Sequence, residues 1–398
     1  MKTKVGVFFG GRSTEHEISV ISANQAINAL DADQYEIVPV YITKEGKWFS
    51  GEALLKLEEY KNIPQLLSKC EPVYMKAIYG DFKLYSEKRK GFLKKEVVIA
   101  SLDVVIPVLH GSNGEDGTFQ GVMESIGIPY VGCDVLSSAN GMDKIYMKMI
   151  LKANDIPVVP YYWFTVKNWI KNENIILDEI EKNIGYPVIV KPANLGSSVG
   201  IGRAIDRKAL KEKITDASKY SSRIIVEHMI EDLQEINCSV LGDCDDYMTS
   251  VLEEPIKSGE ILSYEDKYMG GSKGAKGMQA SLKRIPADLP EDVTKTIQKY
   301  AGLTFSVLSC SGVSRVDLII DRTNNNIYVN EINTIPGSLS FYLWEATGIS
   351  FTELMNRLVR IAISRKREHD SKIVSYDQNI FNMGSFSGKN SMKSTKLK

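Results

Sequence analysis

The chain has 398 residues, 43% of them hydrophobic, which is enough for two or three domains with their own cores. With 49 basic against 50 acidic residues its net charge is −1, so composition gives no electrostatic case for nucleic acid or an anionic membrane surface. Cys70, Cys133, Cys238, Cys244 and Cys310 are scattered without a CxxC pair, indicating neither a disulfide framework nor a zinc site, and no apolar run approaches the ~18 residues of a membrane span. A cytoplasmic enzyme is expected.

The opening MKTKVGVFFGG has too short an apolar run for a secretory signal and reads as a strand, Val5 to Phe9, ending in the Gly10-Gly11 turn. A helix starts near Ser13 or Thr14 with Val20, Ala23, Ile27 and Leu30 on one face, and YEIVPVYIT supplies a second strand. This βαβ unit predicts a parallel sheet in a first domain, 1–134. Within it, residues 50–98 read as an excursion without chemistry, LDVVIPVLHG as a buried strand and IPYVG as a short one. A second region, 135–226, holds the helix DKIYMKMILKAND and the strand YPVIVKPA, and the strand IIVEHMI leads onward. The third, 227–368, carries SVLGD, a Gly- and Lys-rich stretch, two strands joined through Asn324, Asn325 and Asn326, and a helix from Phe351 to about Arg367. Residues 369–398 have the composition of a flexible tail.

The most informative segment is GVSRVDLIIDRTNNNIYVNEINTIPG. Strand alternation puts Arg315 and Asp317 on one face of the first strand, and Glu331 and Asn333 on one face of the second. Two carboxylates and an amide oxygen form an all-oxygen cluster suited to Mg²⁺, with Arg315 able to neutralise a transferred phosphoryl group. Upstream, Lys191 ends an apolar strand before Pro192, which buries its stem and aims its head at an anion such as a nucleotide triphosphate. The loop NLGSSVGIG offers hydroxyls and N–H groups for phosphates but lacks P-loop spacing. Thr14-x-x-Glu17 has the spacing of a capping box, and Glu15 suits a first helical turn. The stretch SYEDKYMGGSKGAKGMQA is glycine-rich and cationic, fit to close over anionic substrates.

Taken in order over residues 3–367, these motifs resemble the D-alanine–D-alanine ligase family of ATP-grasp carboxylate-amine ligases. The resemblance implies an α/β (α+β) fold of three parts: a Rossmann-like N-terminal domain, a central ATP-grasp lid and a C-terminal catalytic unit. It implies ATP and two metal ions, Mg²⁺ or Mn²⁺, the latter held by Asp317, Glu331 and Asn333. Glu15 would hold the ammonium of a first D-alanine beside His110 of LHGSNGEDGTFQG. Lys144, Lys191, Ser198, Lys267 and Asn330 fall on nucleotide positions, Glu227, Met229 and Ile230 on the adenine edge, and Glu235 on the ribose, although one extra residue separates the two acids here. Ser197 would orient Tyr268, while Arg315 and the Gly337 N–H would stabilise an oxyanion. Relatives that make a D-lactate ester carry histidine at the Tyr268 position, so tyrosine favours an amine. The resemblance also implies a homodimer that supplies a cell-wall precursor.

One departure stands out. Only SLSFY separates Gly337 from Leu343, and the missing piece normally holds the second amino acid's carboxylate. Ser340, or a lysine at 273 or 276, could replace it, and D-serine remains an alternative second substrate. A non-catalytic module of this fold should have lost Lys191, Glu331 or Asn333, and a nicotinamide enzyme should show GxGxxG after the first strand.

Overall fold

Three sheets organise the computed structural model, which describes residues 2–90, 95–196, 199–256 and 283–373. In the first, β1 (Thr3–Gly10) pairs in parallel with β2 (Tyr35–Ile42), the His16–Ala29 helix making the crossover. Val20, Ala23, Ile27 and Leu30 are all buried, as their spacing predicts. The helix begins later than expected: Glu15 is its N-cap, with no side-chain cap hydrogen bond, and Glu17 instead pairs with Lys44. With the N-cap at Glu15 and not at Thr14, Glu17 falls one position short of the place a capping-box acid takes.

The described residues of the segment expected to be an excursion build much of the first sheet. They form β3 (Trp48–Ser50), β4 (Glu71–Met75), β5 (Lys83–Lys90) and β6 (Lys95–Ser101), extending the sheet antiparallel from β2. The sheet's other side is β7 (Val104–Val108), parallel to β1 and wholly buried, whereas IPYVG contributes only a single bridge from Tyr130 to Val105.

The second sheet is antiparallel, in the order β10 (Gly202–Ala204), β9 (Val188–Pro192), β11 (Arg223–His228), β8 (Tyr161–Thr165). The Val166–Asn183 and Arg207–Ala217 helices cover it through Ile176, Leu177, Ile180, Leu210 and Ile214. The third sheet, also antiparallel, runs β14 (Lys283–Arg284), β13 (Tyr247–Pro255), β12 (Leu233–Gly242), β15 (Gly312–Asp321), β16 (Asn326–Asn333). Asn325 takes the left-handed conformation, φ +61°, in the β15–β16 turn, a position Asn tolerates. The chain changes sheets just after IIVEHMI, so β11 does not continue into β12.

Two helices tie these layers together. On the Lys144–Ala153 helix, Met147 and Leu151 enter the core of the third sheet, while Ile145 packs with Ala193 and Ile225 of the second. The Phe351–Asp370 helix buries Leu354, Met355 and Leu358 in the same core as Val20, Ala23 and Ile27. No described helix is long and apolar enough to cross a membrane.

Candidate functional site

The β15–β16 ladder sets Arg315 opposite Asn333 and Asp317 opposite Glu331, so the four side chains share one face. The register then slips, pairing Leu318 with Val329 and leaving Asn330 as an extra residue. This bulge lets two successive residues serve one cleft: Asn330 Oδ1 accepts from Lys191 Nζ at 3.3 Å, and Glu331 lies 3.3 Å from Lys144 Nζ. Arg315 grips Asp317 through Nε at 2.6 Å and Nη2 at 2.8 Å, and Asn333 Nδ2 donates to Asp317 at 3.0 Å. Burial pushes the Asp317 carboxyl above the usual range; Arg315 opposes this, and the nearby Glu331 and Glu235 add to it. Two carboxylates beside an amide, one of them disfavoured as an anion chiefly by burial, suit a divalent cation that would supply positive charge.

Three lysines face these acids. Lys144 Nζ donates to Leu195 O at 2.8 Å besides its contact with Glu331. Lys191 and Glu227 sit on neighbouring strands β9 and β11, and Lys191 Nζ donates to Glu227 Oε2 at 2.8 Å. The third, Lys148, lies one turn after Lys144, is fully buried, and stands 3.4 Å from Glu227 Oε1. Sequence reasoning missed it, although its i+4 spacing from Lys144 on one helical face was a usable signal. Burial alone would raise the Glu227 carboxyl, but Lys148 and Lys191 hold it below the usual range. The Glu227 side chain, expected on the adenine edge, pairs with both of these lysines. The Met229 N–H already donates to Pro187 O at 3.0 Å, and Ile230 is buried beside it. Glu235, on β12, is close enough to raise the pKa values of both Asp317 and Lys191.

At the opposite end of the cleft, Glu15 is buried beside two glycines. A Cβ on Gly111, whose φ is +74°, would lie 2.7 Å from Glu15 Oε2, and one on Gly196 would lie 3.5 Å from the same oxygen. Glu115, also missed although it lies within LHGSNGEDG, accepts from Gly111 N–H at 2.7 Å and Ile335 N–H at 3.2 Å. Burial, reinforced by Glu15, pushes its carboxyl up to about 8. His110 is buried and its pKa lowered, so its ring is neutral. A carbonyl can only accept, so His110 Nδ1 donates to Ile335 O at 2.9 Å and Nε2 accepts from the Ser22 hydroxyl at 2.9 Å. Ser22 Oγ in turn accepts from Ser338 N–H at 3.0 Å, which links the first helix to the segment after Gly337.

That segment is unusual. Ser338, Leu339 and Ser340 follow Gly337 with φ of +53°, +52° and +52°, three consecutive non-glycine residues in the left-handed region, all buried. The Ser340 hydroxyl is sealed from solvent and makes no hydrogen bond among the described residues. The turn feeds a short helix whose Tyr342 hydroxyl donates to Glu253 at 3.0 Å, while Lys283 Nζ lies 2.9 Å from Glu253 and 4.0 Å from the Tyr342 ring centroid. Ser197, Ser198, Lys267 and Tyr268, with the lysines at 273 and 276, lie outside the described residues.

Buried lysines opposing an acid-bearing hairpin across two antiparallel sheets define an ATP-grasp enzyme. Family models described as D-ala D-ala ligase N-terminus and D-ala D-ala ligase C-terminus match residues 4–133 and 150–360. The chain is 40% identical to the D-alanine–D-alanine ligase of Thermosipho melanesiensis over 376 residues, 94% of this chain and 97% of that one. Its fold is similar to that of the D-alanine-D-alanine ligase from Coxiella burnetii, with a TM-score of 0.78, 31% identity, and 93% and 96% of the two chains covered. It is also similar to the VanG D-Ala:D-Ser ligase from Enterococcus faecalis, with a TM-score of 0.77, 32% identity, and 91% and 100% covered. The chain belongs to the D-alanine–D-alanine ligase family.

Proposed function

We propose that this chain joins two D-alanines into D-alanyl-D-alanine at the expense of ATP, supplying a peptidoglycan precursor in the cytoplasm. The observation that carries this reading is the opposition of Lys144 and Lys191 to Glu331 and Asn330, with Arg315 and Asp317 on the same face. In it, the first D-alanine's carboxylate takes the terminal phosphoryl group, giving D-alanyl phosphate, and the second D-alanine's amine displaces the phosphate.

Glu15 holds the first ammonium, and neutral His110, locked by Ser22 and Ile335, shapes that end of the cleft without adding charge. Lys144 and Lys191 take the nucleotide's phosphates, and Arg315 with the Gly337 N–H receives negative charge at the reacting carbonyl. Two Mg²⁺ ions at Asp317, Glu331 and Asn333 would neutralise phosphate charge when bound. Lys267 and Ser198 are assigned to the nucleotide's phosphates, and Tyr268, with Ser197 as its orienting partner, to the side of the attacking amine; keeping water out protects the acyl phosphate. Glu227, with the backbone at Met229 and Ile230, flanks the base, and Glu235 the ribose. The functional units in this reading are 1–134, 135–226 and 227–368, assembled as a homodimer.

The test is identification of products by mass spectrometry after incubation with ATP, Mg²⁺, D-alanine and competing D-serine, D-lactate and L-alanine. D-alanyl-D-alanine is expected, with no ester, and formation should stop with EDTA. D-alanyl-D-serine as the main product would reassign the second substrate, and a D-lactate ester would remove Tyr268 as an amine selector.

A further inference from the structure

Among the described residues, three cations at the nucleotide end of the cleft are paired with acids: Arg315 with Asp317, Lys144 with Glu331, and Lys191 with Glu227. Nucleotide phosphates compete with those acids for the cations. Asp317 and Glu331, once released, belong to the oxygen cluster suited to a divalent ion. Glu227 does not: it sits on β11 beside Lys191 with its side chain only 3% exposed. A buried carboxylate stripped of its partner is strongly unfavourable, so without a substitute Glu227 would hold Lys191 back from the nucleotide.

The substitute is in place. Lys148 Nζ and Glu227 Oε1 are each sealed from solvent, each without a hydrogen bond among the described residues, and 3.4 Å apart. A shift of a few tenths of an ångström would bring them to charge-assisted hydrogen-bond distance. Lys144 does not serve, because its ammonium donates to Leu195 O and is itself one of the cations the nucleotide claims. We infer that Lys148 is a positioning residue for nucleotide binding: it takes over Glu227 when Lys191 turns from that carboxylate to the nucleotide, so that the exchange never leaves a buried acid unpaired. It acts through Glu227 and Lys191 and touches no substrate.

The inference rests on the reading of the cleft as a nucleotide site, and a double-mutant cycle separates the two. Dissociation constants for Mg-ADP are measured by calorimetry for the wild type, Lys148→Met, Glu227→Gln and the double variant, alongside thermal melting of each without nucleotide. Lys148→Met should weaken Mg-ADP binding at least tenfold, because Glu227 then monopolises Lys191. Adding Glu227→Gln removes the charge that needs a partner, so the double variant should bind within about threefold of Glu227→Gln alone. A residue that merely packs would give additive losses, with the double variant the weakest of the four. That result, or wild-type affinity in Lys148→Met, overturns the inference. If Lys148→Met does not fold, Lys148→Gln replaces it in the same cycle, with the same rescue required. A wild type that fails to bind Mg-ADP would instead sink the nucleotide reading itself.

Discussion

Glu115 accepts two backbone hydrogen bonds and still keeps its proton near neutral pH, because it is shielded from water and faces Glu15. Its folded pKa, about 8, lies above the ~4.3 of a free glutamate. The folded state therefore binds the proton more tightly, and the stability this contributes is fully present below ~4.3 and lost as pH rises through about 8. Between pH 6 and 9 the wild type should lose on the order of a few kcal/mol that the Glu115→Gln protein does not lose. Urea melts at both pH values measure this, and parallel slopes for the two proteins would dismiss Glu115 as the source. Glu115 and Lys148 were hard to see in the sequence for a common reason. Each sits inside a motif whose more conspicuous member, His110 or Lys144, already accounted for the pattern. Only the fold reveals that Glu115 faces Ile335 and Lys148 faces Glu227.

At the scale of elements, legibility followed periodicity. The helix of the first βαβ unit buries Val20, Ala23, Ile27 and Leu30 at helical spacing, and side-chain alternation in the β15–β16 hairpin groups Arg315 with Asp317 and Glu331 with Asn333, so both could be read directly. The strands β3 to β6 could not be read this way, since β6 exposes residues on both faces, Val98 and Ile99 among them, and its pairing is broken by register shifts. The bulge at Asn330 was equally hidden, because a single inserted residue leaves no compositional trace. The left-handed turn 338–340 has the least local signal of all: no glycine occupies it, and each of its residues costs roughly 1–2 kcal/mol in that conformation. Its burial and the Ser338–Ser22 hydrogen bond offset that cost. The orphaned Ser340 hydroxyl adds a further penalty, so Ser340→Ala should stabilise the protein by about 1 kcal/mol. If that hydroxyl also serves the second amino acid, the same variant should raise its KM severalfold. A gain in melting temperature with unchanged KM would leave Ser340 without a substrate role.

On the scale of the molecule, the first sheet is fastened to the third by contacts that no local pattern announces. Arg365, on the C-terminal helix, donates to Tyr130 O at 2.8 Å and to Gly132 O, with its guanidinium 4.5 Å from the Tyr130 ring centroid. Against Gly132 lies Gly312 at the start of β15, where an added Cβ would come within 2.8 Å of the Gly132 Cα. Arg365→Ala, which strips two part-buried carbonyls of a charged donor, should cost about 1–3 kcal/mol in chemical denaturation. A loss below about 0.5 kcal/mol would show that solvent satisfies those carbonyls equally well.

The bulged strand β16 has a mechanical corollary. Its adjacent residues Asn330 and Glu331 hold, respectively, a lysine from the second sheet and a lysine from the helix that spans the second and third cores. Those lysine-bearing elements are themselves stitched together by Lys144 N–H to Ala193 O. Drawing the second sheet away from the hairpin must therefore unfasten both contacts in one movement. Both catches hang from one bulge, so a single displacement loads them together.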